Sequence, residues 1–101
     1  MNCEQILNIQ INEEKHLLID IREHYEYQDH NIGGRHIPMG EILNRLDEIP
    51  RDILVIIHCQ SGARGAKMTK VLHSMGFNNV ENLDGGLDAF SSLQTTQVQT
   101  K

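Results

Sequence analysis

Apolar residues fall along this chain in two kinds of run. HLLID at 16–20 and ILVIIHC at 53–59 are short and nearly continuous, the second rich in β-branched residues, and both predict buried strands. Elsewhere the apolar positions recur with a helical period. Ile42, Leu43, Leu46 and Ile49 predict a helix ended by the turn Pro50-Arg51-Asp52. Met68, Val71, Leu72 and Met75 predict a second one of about three turns, with Lys67, Lys70, His73 and Ser74 on its other side and Gly76 placed to terminate it. VENL at 80–83 predicts a short strand, DGG at 84–86 a turn, and LDAFSSL a last short helical piece; CEQILNIQI near the start carries a weaker helical pattern. Strands alternating with helices imply an α/β domain with a mostly parallel central sheet flanked by helices. From Thr95 to Lys101 there is no pattern, so that stretch is expected to be a mobile tail beyond a core of about residues 3–93.

Composition narrows the class. With 101 residues, the expectation is a single domain over 1–101. The longest apolar run, ILVII at 53–57, is too short to span a bilayer, which points to a soluble protein with no membrane partner. MNCEQILNIQ lacks the basic and apolar regions of a secretion signal, and the two cysteines, Cys3 and Cys59, do not make a disulfide scaffold; both features point to a reducing cytoplasm. A formal charge of −5 argues against a nucleic-acid partner. It also counts against an anionic substrate unless a local cation offsets it, and Arg64 is placed to do so.

The chemistry concentrates in IIHCQSGARGAK at 56–67. Cys59 stands where a strand hands over to a helix, which is where ligand sites of open α/β sheets lie. Gln60, Ser61, Gly62 and Ala63 supply backbone N–H groups, Gly62 is free to take a positive φ, and the orphan N–H groups of the helix point the same way, so the segment predicts an anion nest. A helix N-terminus stabilises a neighbouring thiolate by only roughly 0.3–1 kcal/mol, so the loop donors and Arg64 have to add to it. The plain alternative is a buried cysteine packing as a small hydrophobe. The spacing of Cys59 to Gly62 and Arg64 favours the nucleophile. His58 and Cys59 are neighbours on a strand and point to opposite faces, and the histidines at 16, 24, 30, 36 and 73 show no ligand spacing, so no metal site is expected.

These residues resemble the rhodanese (thiosulfate sulfurtransferase) family in its single-domain form, over roughly residues 16–90. LLIDIRE is similar to the family's first strand with its Asp-x-Arg, here Asp20 and Arg22. YEYQDHNIGGRHIP resembles the Glu-Tyr segment and Gly-rich turn, HCQSGAR the active-site loop, and NLDGGLDAF the closing signature. The resemblance implies double displacement: the Cys59 thiolate takes the outer sulfur of thiosulfate, sulfite leaves, and the Cys59 persulfide passes its sulfur to cyanide or a thiol, with no metal or organic cofactor. It gives Gln60, Ser61, Gly62, Ala63 and Arg64 as the substrate-binding loop, with a hydrogen bond from Ser61, and Asp20 and Arg22 as a supporting ion pair. Arg35 reads as a solvated surface residue. The four residues between Cys59 and Arg64, one fewer than in related phosphatases and arsenate reductases, favour sulfur over phosphate, and the cationic Arg64 points to the doubly anionic thiosulfate. Three departures stand out: Gly65 replaces the Ser of many relatives and is expected to remove a loop hydrogen bond and loosen the helix start, NIGGRHIP is one residue short, and Phe90 replaces the usual Trp. The rival readings are a non-catalytic binding module of the same fold and a protein-specific sulfur carrier.

Overall fold

The computed structural model describes residues 1–99, with side chains through residue 92. Four strands, β1 (His16–Asp20), β2 (Arg35–His36), β3 (Leu54–His58) and β4 (Val80–Asn82), form one parallel sheet in the order β2-β1-β3-β4. The helices are α1 (Cys3–Ile11), α2 (His24–Asp29), α3 (Ala63–Ser74) and α4 (Gly86–Gln99). The α/β expectation thus holds, with β1 and β3 where the apolar runs placed them. Among the described residues no helix is long and apolar enough to cross a membrane.

Side chains alternate across the sheet, as the two-residue period of a strand requires. Ile19, Val55 and Ile57 face one layer with Met68 and Leu72 of α3, Phe77 and the segment around Ile42 and Ile49; Leu18 and Ile56 face the other with Ile6 and Ile9 of α1, Leu83 and Phe90. Helix α1 is fixed at its start by a capping box in which Asn2 and Gln5 exchange side-chain to backbone bonds of 2.8 and 2.9 Å. At the end of α3, Gly76 takes φ +92°, its N–H donates to the His73 carbonyl and that of Phe77 to Leu72, both at 3.0 Å, which completes a Schellman motif as Gly76 predicted.

Three elements differ from the sequence pattern. The expected helix over Ile42–Ile49 is two 3₁₀ segments, Met39–Asn44 and Leu46–Glu48, held by bonds three residues apart such as Arg45 N–H to the Ile42 carbonyl at 3.0 Å. With three residues per turn the apolar face drifts: Ile42 and Ile49 are buried, but Leu43 turns outward. On α3 the buried stripe is Gly65, Met68 and Leu72 only, because Val71 and Met75 lie at its edge and are exposed. Helix α4 continues past LDAFSSL to Gln99, into the stretch that lacked an apolar pattern, since extending a nucleated helix needs no further apolar face. The remaining tail residues, 100 and 101, lie outside the described residues.

Strand order reverses between β1 and β3: β2 follows β1 on one side, β4 follows β3 on the other. The chain therefore leaves the carboxyl ends of these two neighbours in opposite directions and opens a crevice there. Asp20 and His58 end the two strands in register, and Cys59 is the next residue on.

Candidate active site

Cys59 lies on the α3 side of the sheet with Ile57 and is fully buried. Its Sγ accepts the N–H of Gly62 at 3.1 Å and that of Gly65 at 3.4 Å. Gly62 caps α3 with φ +100°, a conformation that turns its N–H back toward the sulfur and that a Cβ would strain. The loop is gripped from behind by the start of α4. Leu87 N–H donates to the Cys59 carbonyl at 2.9 Å and Asp88 N–H to the Gln60 carbonyl at 3.0 Å. Gly86 and Gly62 permit this closeness: a Cβ on Gly86 would stand 2.5 Å from the Cys59 carbonyl oxygen, and one on Gly62 would stand 2.8 Å from the Gly85 nitrogen.

A chain of polar side chains supports the loop from β1. Arg22, 2% exposed, donates Nη2 and Nε to Asp20 at 2.9 to 3.2 Å, while Asp20 Oδ1 also accepts the Arg22 N–H at 2.9 Å. Arg22 Nη1 donates to Gln60 Oε1 at 3.1 Å, and Gln60 Nε2 donates to Asp88 Oδ1 at 2.6 Å. Asp20 and Arg22 thus form a buried ion pair that reaches the loop, and the Gln60 side chain is spent on that linkage. Ser61 and Ala63 are exposed, and no hydrogen bond from Ser61 to the sulfur is formed. Arg35 is exposed and donates to the Glu48 carbonyl at 2.8 Å, away from the thiol loop.

Arg64 lies close enough to Cys59 to interact with it electrostatically, but its guanidinium is already paired. Its Nη1 and Nη2 donate to Glu26 Oε1 and Oε2 of α2 at 2.8 and 3.0 Å, a bidentate pair that the sequence reading missed. The Arg64 guanidinium, bonded to Glu26, holds that carboxyl down at about 2. The reading also missed Asn82, whose Nδ2 donates to the Gly62 carbonyl at 3.3 Å and whose buried Oδ1 has no partner. That oxygen fills the space a Cβ on Gly65 would occupy. Gly65 is therefore the residue that lets β4 approach the loop, and its N–H reaches Sγ. No local signal marks either contact, since Glu26 and Asn82 lie 38 and 20 positions from the residues they bind.

His58 is fully buried on the opposite face from Cys59, as strand alternation requires, with its Nε2 4.0 Å from Asp20 Oδ2 and neither ring nitrogen hydrogen-bonded. Burial pushes its pKa down to about 4. Among the described residues no three His, Cys, Asp or Glu side chains converge to hold a metal.

Comparison with known proteins gives a consistent assignment. The rhodanese-like domain family matches residues 4–93. A sulfurtransferase of Allochromatium vinosum is 40% identical over 76 residues, covering 74% of this chain and 71% of that protein. The uncharacterized protein YqhL of Bacillus subtilis is 36% identical over 70 residues, 68% of this chain and 56% of YqhL. Among solved structures, reduced Bacillus anthracis CoADR-RHD superposes with a TM-score of 0.83 at 33% identity over 95% of this chain, which spans only 17% of that longer protein.

Proposed function

This chain belongs to the rhodanese-like domain family, and from that premise we propose that it is a cytoplasmic sulfurtransferase that carries sulfane sulfur as a persulfide on Cys59. The observation that carries the reading is the pair of N–H groups, from Gly62 and Gly65, aimed at Sγ where the strand order reverses. A thiolate there, and the terminal sulfur of a persulfide after it, would meet fixed donors that need no reorganisation when charge moves onto sulfur. Cys59 attacks the outer sulfur of the donor, thiosulfate or a persulfide, the donor's S–S bond breaks, and the remainder departs with the electron pair. A thiol or cyanide then takes the sulfur and returns the Cys59 thiolate.

In this reading Gln60, tied to Arg22 and Asp88, holds the loop's shape; Ser61 and Ala63 form its exposed opening; and the Asp20–Arg22 pair is a support rather than a reactant. The interval of Gln60 to Ala63 between Cys59 and Arg64 leaves too few loop donors to wrap a tetrahedral oxyanion, which counts against a phosphatase or arsenate reductase. The test is mass spectrometry after incubation with thiosulfate or a persulfide. One added sulfur on the Cys59 peptide, removed by cyanide, is the expected result. A protein that binds partners without chemistry, or sulfur mapped to Cys3, contradicts it.

A further inference from the structure

Both arginines that adjoin the thiol loop are already neutralised. Arg22 spends its guanidinium on Asp20, on Gln60 Oε1 and on the His30 carbonyl, and it is buried. Arg64 is matched in bidentate fashion by Glu26, whose Oε1 also accepts the Glu23 N–H at 2.9 Å. Three donors thus fix the Glu26 carboxylate, and its side chain is only 18% exposed, so the pair is partly shielded from solvent and salt. Asp88 adds a second carboxylate beside Gln60. A dianion approaching Cys59 has to compete with Glu26 for Arg64, inside a protein of net charge −5.

We propose that Glu26 is a specificity-determining residue: by occupying Arg64 it sets the site against thiosulfate and in favour of a thiol persulfide, R–S–SH, as sulfur donor. The proposal rests on the persulfide reading of Cys59 and names its substrate class. The step balances without any further reactant. The Cys59 thiolate attacks the outer sulfur of R–S–SH, the S–S bond breaks with its electron pair going to the departing thiolate RS⁻, and the proton stays on the transferred sulfur to leave Cys59–S–SH. The donor brings no negative charge in, and the single charge of the Cys59 thiolate leaves on RS⁻, so the backbone donors of Gly62 and Gly65 suffice. With thiosulfate the departing group is sulfite, a dianion, and no unpaired arginine of the loop is there to meet it.

The test compares second-order rate constants for sulfuration of Cys59 by thiosulfate and by 2-hydroxyethyl persulfide, whose R group carries no charge, read by intact-protein mass spectrometry on the full chain. In Glu26→Gln the thiosulfate-to-persulfide ratio is expected to rise about tenfold, because Arg64 is released, whereas Glu26→Asp keeps the charge and should hold the ratio near that of the parent. Glu26→Ala provides the same comparison should Glu26→Gln fail to fold. A ratio that moves less than about twofold in both neutral variants, with sulfur still reaching Cys59 from each donor, overturns the assignment of Glu26. Absence of sulfur on Cys59 from both donors in the parent protein is a different failure, which removes the sulfurtransferase reading and this inference with it.

Discussion

The two cysteines occupy similar sites by crude measures and opposite ones by chemistry. Each is buried, each is free, and each sits at the start of a helix, Cys3 as the first residue of α1 and Cys59 just before α3. A pocket of about 370 Å³ opens beside Cys3, lined by Asn2, Glu4, Asp84 and Ala89. The Cys3 thiol is pushed up by burial, with the carboxylates of Asp84 and Glu4 adding to the effect. Cys59 instead receives two N–H donors from a loop whose carbonyls are tied to α4. What separates the two is directed donors and local charge, since burial and helix position are shared.

Deleting each sulfur breaks the comparison most completely. Cys59→Ser is expected to abolish sulfuration by any donor, and Cys3→Ser to leave it within about twofold, as measured by mass spectrometry and by cyanide release of the bound sulfur. The next largest effect is expected at Gly86, where φ is +60° and a Cβ would collide with the Cys59 and Gln60 carbonyls. Gly86→Ala should destabilise the fold by upwards of about 3 kcal/mol in urea unfolding, or push the loop off α4 so that Cys59 reacts no faster than Cys3 with an alkylating agent. Normal stability together with a fast Cys59 would show that the loop does not depend on its grip by α4.

Acid sharpens the contrast through His58, on the strand that feeds the loop. Its pKa is lowered on folding from 6.5 to about 4, so the unfolded chain takes up a proton that the buried ring refuses. Stability present above pH 6.5 is therefore lost as the pH falls toward 4, by about 2 kcal/mol at pH 5. His58→Leu breaks no hydrogen bond, since the ring makes none, and should flatten this part of the urea-midpoint profile. A parent protein as stable at pH 5 as at pH 7 argues against it. The smallest effect is the fit of Gly65 against Asn82. Gly65→Ser should displace the Asn82 amide from the Gly62 carbonyl and slow Cys59 alkylation severalfold. A double-mutant cycle with Asn82→Ala should give a coupling of roughly 1 kcal/mol, and additive effects would show that the two side chains act independently.

Strands β1 and β3, the Gly76 stop and the strand–Cys59–Gly62–α3 unit were legible in the sequence because each is set by local pattern: continuous apolar runs, a 3.6-residue period, a glycine where φ is positive. The α/β class and the place of the thiol at a strand's carboxyl end follow from the same signals. Local pattern was less secure where it had to choose a helix type. The apolar spacing over Ile42–Ile49 is compatible with an α-helix, but the Arg45 backbone, at φ −128° and ψ 32°, divides the segment into two 3₁₀ turns.

The side chains that adjoin the thiol loop, unlike its own N–H donors, were decided by tertiary structure. Whether Arg64 meets a substrate anion or a carboxylate depends on α2 being packed against the loop, and the sequence alone read it as the free cation of an acidic protein. Gly65 read as a missing serine until β4 placed the Asn82 amide in the space a side chain would need. His58, unremarkable as one histidine among six, becomes a buried ring without a hydrogen bond because β1 lies beside it in register. Chain pattern specifies which way a residue faces along its own element. The identity of the group it meets depends on contacts between segments distant in sequence, and those exist only once the sheet order has brought the segments together.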